Sequence, residues 1–157
     1  MRLFKNQTQK NWIQLATKRI SSSGVMLEDS DGKLLVVKAT YKPYWTVPGG
    51  LVDDRETPKQ AAVREVFEEI GVRINERDMV FILVADRMSS QLQTYQFLFK
   101  AKLSNDMKAH IILQDSEIED CALVSKAQVE LGDRNYAKAV MQWASNVTGY
   151  VEQVFDK

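Results

Sequence analysis

Disulfides, thiolate metal cages and histidine catalysis have almost nothing to draw on in this chain, whose 157 residues include one cysteine, Cys121, and one histidine, His110. A lone cysteine closes no internal disulfide, which suits a reducing compartment. No motif surrounds Cys121, so it reads as a small core residue, and His110 has no partner motif and reads as incidental. Net charge is absent too. Lys plus Arg and Asp plus Glu both count 21, leaving no overall positive field to attract a long nucleic acid. Nor does the sequence hold an apolar run of about 20 residues or a secretory apolar core, and the expectation is a cytoplasmic protein with no membrane partner. Internal repeats and low-complexity linkers are missing as well. With 45% hydrophobic residues, residues 1–157 are long enough for one well-packed domain and short for two. Residues 1–17 stay unassigned: Trp12 and Ile13 suit a short helix, an added strand or a partner contact equally.

What is present is concentrated between Gly50 and Val72, in GLVDDRETPKQAAVREVFEEIGV. Thr57 suits an N-cap, Pro58 the first helical position, and Gln60, three residues after Thr57, completes a capping box. The stretch KQAAVREVFEEI holds strong helix formers, and Gly71 can turn left-handed and end the element. A helix is predicted over Pro58 to Ile70. At about 100° per residue, Val63, Val66, Phe67 and Ile70 gather on one stripe and Glu65, Glu68 and Glu69 on the opposite side. Those carboxylates are neighbours on the helix surface and repel one another.

Protonation, solvent or a bound cation can relieve the repulsion. Mg²⁺ suits such oxygen donors, because it takes few carboxylates and keeps waters and phosphate oxygens as its other ligands. The alternative is a solvated acidic face with Arg64 and Glu68 as a surface pair.

The flanking sequence favours the cation. Tyr44-Trp45-Thr46-Val47-Pro48-Gly49-Gly50 leads in, and Gly50, Glu56, Arg64, Glu65, Val66, Glu68, Glu69, Gly71 and Val72 fall on every specified position of G-x5-E-x7-R-E-U-x-E-E-x-G-U, U being aliphatic. The chain resembles the Nudix hydrolases across this motif. The resemblance implies an α/β fold, the Nudix-type α/β/α sandwich with a mixed sheet. It implies hydrolysis of a phosphoanhydride in a nucleoside diphosphate linked to another moiety, with Mg²⁺ or Mn²⁺. By the family pattern Glu65, Glu68 and Glu69 are metal ligands with the Gly49 carbonyl, and Glu68 and Glu69 are catalytic. Gly50, Glu56, Arg64 and Gly71 are structural, Glu56 holding Arg64. A general base or extra metal ligand from outside the motif is expected at Glu117, with Glu119 next. Lys38 and Trp45 are expected to bind substrate, with Tyr44 and Tyr95 as further stacking candidates.

Elsewhere, Arg19–Leu27 and Lys33–Ala39 read as a hairpin around an Asp-Gly turn, and 79–85 and 92–101 as a second pair joined by a polar loop. Residues 121–124 read as a short strand, and Ser125 with Gln128 repeats the capping box. Asp133 is placed as the cap of a long terminal helix, with Ala137, Val140, Met141, Ala144 and Val147 as its packing stripe.

The substrate is less marked. Arg87 stands where the ADP-ribose subgroup of the family carries a proline, the tyrosine of dinucleoside-polyphosphate hydrolases is missing nearby, and the coenzyme A signature before the motif is absent. A small-molecule nucleotide is expected, leaning to a nucleoside triphosphate or modified nucleotide. An ADP-sugar pyrophosphatase and a non-catalytic nucleotide sensor stand as alternatives. An isopentenyl diphosphate isomerase would need a cysteine and a histidine cluster that the chain lacks. Many members of the family pair as dimers, so a homodimer is a further expectation.

Overall fold

The computed structural model describes residues 18–155 together with Leu15 and Ala16; the readings offered for Trp12 and Ile13 lie outside the described residues. Strands β1 (Ile20–Glu28) and β2 (Leu34–Ala39) flank the expected turn. Gly32 takes φ 72 there, and the Asp29 carboxylate accepts from the backbone N–H groups of Asp31 and Lys33, both at 2.9 Å. The two strands pair only where they meet, at Glu28 and Leu34, and then separate to other partners. Strand β1 runs parallel to β6 (Gln93–Lys102) over its whole length. Strand β2 pairs antiparallel with β7 (Ile118–Val124).

Eight strands form one mixed sheet among the described residues. Its main path runs β3 (Trp45–Thr46), β2, β1, β6, β5 (Val80–Ser89), β8 (Gly149–Phe155), while β4 (Gly49–Leu51) pairs with β1. Alternation along the strands divides the apolar residues between two layers. Val25, Leu27, Leu35 and Val37 pack beneath helix α1 (Pro58–Ile70) with Val66 and Ile70. Met26, Leu34, Val36, Leu83 and Leu98 pack on the other face with Val140 and Trp143 of α4 (Lys138–Ala144). The remaining helices, α2 (Asn105–Ala109) and α3 (Lys126–Leu131), are short. The result is the α/β/α sandwich with a mixed sheet.

Local signals fix α1. Thr57 accepts from the Gln60 N–H while the Gln60 side chain accepts from Thr57, and Gly71 ends the helix at φ 70. Ser125 and Gln128 form the same box at the head of α3. The faces of α1 differ from the expected pair of opposites. Phe67 is 42% exposed and Glu69 only 5%. The arc that meets the sheet is centred near Ala62 and Glu69, so Phe67, about 160° from Glu69 around the helix, turns outward beneath the Arg73 guanidinium, 4.2 Å from its ring.

Three further readings are corrected. Strand β5 continues through residues 86–89, and a tight turn closes it, with the Ser89 N–H donating to Leu92 O at 2.9 Å. The terminal helix is short and starts after Ala137 rather than at Asp133, whose carboxylate accepts from the Tyr136 hydroxyl instead. Beyond it Asn146 takes φ 55, and the chain returns as β8, parallel to β5.

Candidate functional site

Helix α1 is tied at both ends to the segments that complete the site. At its start, Arg64 gives Nε and Nη2 to the two oxygens of Glu56, each at 3.0 Å. Its Nη2 also reaches Leu51 O at 3.0 Å, while Nη1 donates to Glu65 Oε1 at 2.8 Å and Glu68 Oε2 at 2.9 Å. This planar fork matches a carboxylate in a way that lysine cannot, and it draws the Glu56 carboxyl below its usual range. Arg64 is thereby committed to the scaffold.

At the other end, the last carbonyls of a helix lack partners within it. Here Glu69 O accepts from the Gln114 N–H and Ile70 O from the Ile112 N–H, both at 3.0 Å. Those bonds bring the loop that carries Glu117 back against α1, and Glu117 O accepts from the Thr40 N–H at 2.9 Å. Two segments more than 40 residues apart in sequence meet because one caps the other.

Glycines 49 and 50 set the approach of β4. A Cβ on Gly49 would lie 2.6 Å from Gly24 Cα and strike Ser23 O, and the residue holds φ 153. A Cβ on Gly50 would lie 2.5 Å from Glu65 Cδ, within the space of that carboxylate. In this close packing the Gly49 N–H donates to Glu69 Oε2 at 2.9 Å.

The carboxylates that meet here are under strain from one another. Burial pushes Glu69 up to about 7, opposed by the Gly49 N–H, reinforced by Glu65 and Glu117 and offset by Lys42. Burial also raises Glu65, against the pull of Arg64, with Glu68 and Glu117 adding to the rise. Among the described residues no three acidic, cysteine or histidine side chains converge as a ready-made metal cage. The donor chemistry fits a hard divalent ion nevertheless. Glu65 and Glu69 are crowded oxygen donors, Arg64 engaging only one oxygen of Glu65, and Mg²⁺ needs only one or two such carboxylates beside waters and phosphate oxygens.

Gly49, Gly50, Glu65, Glu69 and Glu117 open onto a cavity of about 630 Å³, a size that holds a nucleotide. Glu68 is not on its wall. It lies about 60° around the helix from Glu65, away from the sheet, with its side chain 49% exposed and one oxygen on Arg64.

Lys38 and Trp45 also stand outside the cavity, against expectation. Lys38 Nζ donates to Lys42 O at 2.6 Å and pairs with Glu119 at 3.5 Å. Trp45 packs with the second core and carries the Arg134 guanidinium 4.5 Å above its ring. Side chains alternate along a strand, so Thr46 faces the cavity and Trp45 does not. Tyr44 lines the wall and Tyr95 bonds Arg19 instead.

The cations that do line the cavity are Lys42, Arg87 and Lys138, none singled out from sequence. A signal existed for Arg87. Leu83 and Ala85 are the inward residues of β5, and period two places Arg87 on the same face. Lys138 comes from the start of α4, which Trp45 anchors by accepting from the Ala137 N–H and donating to Asn135 O, both at 2.8 Å.

A family model, the NUDIX domain, matches residues 18–144. Diphosphoinositol polyphosphate phosphohydrolase 2 of Mus musculus is 40% identical over 73 residues, 46% of this chain and 41% of that protein. The chain thus spans well under half the length of this relative. Among solved structures, a MutT NUDIX hydrolase from Burkholderia pseudomallei superposes with a TM-score of 0.68 at 19% identity, covering 84% of this chain and 100% of that one. The NUDIX domain of Shewanella oneidensis NrtR, complexed with ADP ribose, superposes with a TM-score of 0.70 at 15% identity, covering 90% and 96%. At these identities the two structures bear on the fold alone.

Proposed function

Because this chain belongs to the Nudix family, we propose that it hydrolyses a phosphoanhydride bond in a nucleotide, a nucleoside diphosphate linked to a further moiety, in the presence of Mg²⁺ or Mn²⁺. The observation that carries this reading is the buried Glu69 carboxylate, fixed by the Gly49 N–H beside Glu65 and Glu117 at the wall of the cavity. A nucleoside triphosphate or modified nucleotide is the substrate favoured, since Lys42 and Lys138 add positive charge to the same space.

In this account Glu65 and Glu69 hold the ion. Gly49 contributes from the main chain, and Glu68 supports them from the open side through Oε1, which makes no hydrogen bond among the described residues. A divalent cation, when bound, neutralises phosphate oxygens and lets water attack as a stronger nucleophile. Glu117 is the proposed general base. It reaches the cavity from the loop that caps α1, and its carboxylate is free to accept a proton there. Lys42 and Lys138 draw the phosphates in, and the Arg64–Glu56 pair keeps Glu65 in place.

The test is a panel of nucleotides with Mg²⁺ or Mn²⁺, scored for release of phosphate or pyrophosphate, in the wild type and in Glu69→Gln. Glutamine keeps an oxygen for the Gly49 N–H and removes the charge, so the fold is retained. Turnover is expected to fall at least about a hundredfold. Equal turnover in the two proteins would refute the assignment.

A further inference from the structure

One wall of the cavity is built from β5, β6 and β8, a part of the sheet separate from the helix that carries the carboxylates. Arg87 on β5, Gln96 on β6 and Phe155 on β8 line it. Arg87 is register partner to Gln153, and Gln96 to Ala85, so these side chains rise from one face of the sheet. Arg64 is committed to Glu56 and Arg19 to Asp86, and Arg134, whose Nη1 is also buried without a partner, does not line the cavity. Arg87 makes no side-chain hydrogen bond or ion pair among the described residues, and its Nε is buried without a partner. Its guanidinium lies 5.4 Å from the centre of the Phe155 ring. Beside it Gln153 is 9% exposed, and both the oxygen and the nitrogen of its amide are buried and unpaired. Buried polar groups almost always find partners; Gln153 lies behind the wall, and Arg87, which lines it without a partner, is the group that points to an occupant.

The donor and acceptor inventory says what kind. A guanidinium offers only donors, whereas an amide offers both. A phosphate would satisfy Arg87 and leave the amide oxygen of Gln96, the other polar side chain on this wall, facing further acceptors. A flat neutral ring with acceptors and donors on its edge suits the whole set, and the Phe155 contact leaves the guanidinium edge available for in-plane bonds. Two adjacent acceptors are what a bidentate arginine reads, and guanine presents them as O6 and N7, whereas adenine sets an amino group beside N7 and would oppose donor to donor. We propose that Arg87, supported by Gln153 and Gln96, is the residue that selects the base of the substrate, and that it selects a guanine nucleotide. The inference rests on the reading of the cavity as a nucleotide site.

The test is calorimetric binding of the α,β-methylene diphosphates of guanosine and adenosine, which resist cleavage, with Mg²⁺ present. Wild type, Arg87→Met and Arg87→Lys are compared, with circular dichroism to verify folding. The wild type is expected to prefer the guanosine compound by about tenfold or more. Both variants should lose that preference by weakening guanosine binding alone, since lysine keeps the charge and lacks the fork. No preference in the wild type, or no binding of either compound, would overturn the proposal. So would equal weakening of both compounds in Arg87→Met with rescue by Arg87→Lys, which would mark a phosphate contact. Turnover is read separately: selective binding without hydrolysis would sustain this inference and sink the hydrolase reading, and hydrolysis without base preference would do the reverse.

Discussion

Adding a single methyl group at Gly50 should displace a carboxylate rather than the backbone. Gly50 is not among the residues with positive φ, so alanine is allowed there conformationally. Its Cβ, however, would lie 2.5 Å from Glu65 Cδ. The Glu65 side chain is only 13% exposed and is held by Arg64 at 2.8 Å, so it has one way to yield, which is to swing out and give up that bond. A hydrogen bond between charged groups contributes about 1.5–3 kcal/mol. Arg64 keeps Glu56 and Leu51 O, which places the expected cost of Gly50→Ala near the lower end of that range. Activity should suffer more than stability, about a hundredfold, because displacement of a reacting group by about 1 Å is enough for that. Urea denaturation of a double-mutant cycle separates the causes. In a Glu65→Ala background the space is vacant, and Gly50→Ala should cost under about 0.5 kcal/mol, so the two changes are strongly coupled. An undiminished cost in that background would refute the steric argument.

Arg64→Lys keeps the charge and loses the fork, so at least one of the two Arg64–Glu56 hydrogen bonds is lost; unfolding free energy should fall by about 1.5–3 kcal/mol, measurable by the same denaturation. Asp29 tests acid stability. Backbone N–H donation from Lys33, with help from Lys108 and Asp31 against burial, holds its carboxyl below the ordinary 3.8. A lowered folded value means the stabilisation is complete above the unfolded value and is lost as pH falls through the folded one. Thermal melts from pH 6 down to pH 2 should therefore show the wild type losing more of its stability below about pH 4 than Asp29→Asn does, and parallel curves would contradict this.

The parts of the fold that were legible in sequence are those fixed by short-range chemistry. The caps of α1 and α3 and the Asp-Gly turn each depend on residues a few positions apart, while the Arg64–Glu56 pairing, eight positions apart, was expected from the resemblance. What sequence could not show depends on distant partners. Strand β8 forms because β5 offers an open edge, and nothing within GYVEQVF announces that partner. The parallel pairing of β1 with β6 is equally non-local. The site divides the same way. Glu65 and Glu69 were visible as helix neighbours, but the burial of Glu69 depends on β4 and its Gly49 N–H. Glu117 was placed near the site by resemblance alone, and its position follows from the capping of α1 by Ile112 and Gln114. Lys38 and Trp45 do not line the cavity because their side chains are engaged elsewhere, Lys38 by Lys42 O and Glu119 and Trp45 by the second core and Arg134. Arg87 was passed over because a polar stretch reads as loop, although the sheet carries it three residues past Val84.

The central claim is that the carboxylates of α1 hold a divalent ion in this cavity. Titration of the protein with Mn²⁺, followed by the electron paramagnetic resonance of the free ion, measures that directly and requires no knowledge of the substrate. Saturable binding in the wild type that weakens at least about tenfold in Glu69→Gln is the predicted result, as loss of a charged ligand from such a site entails. Identical binding curves for the two proteins, or none for the wild type with nucleotide present, would contradict it.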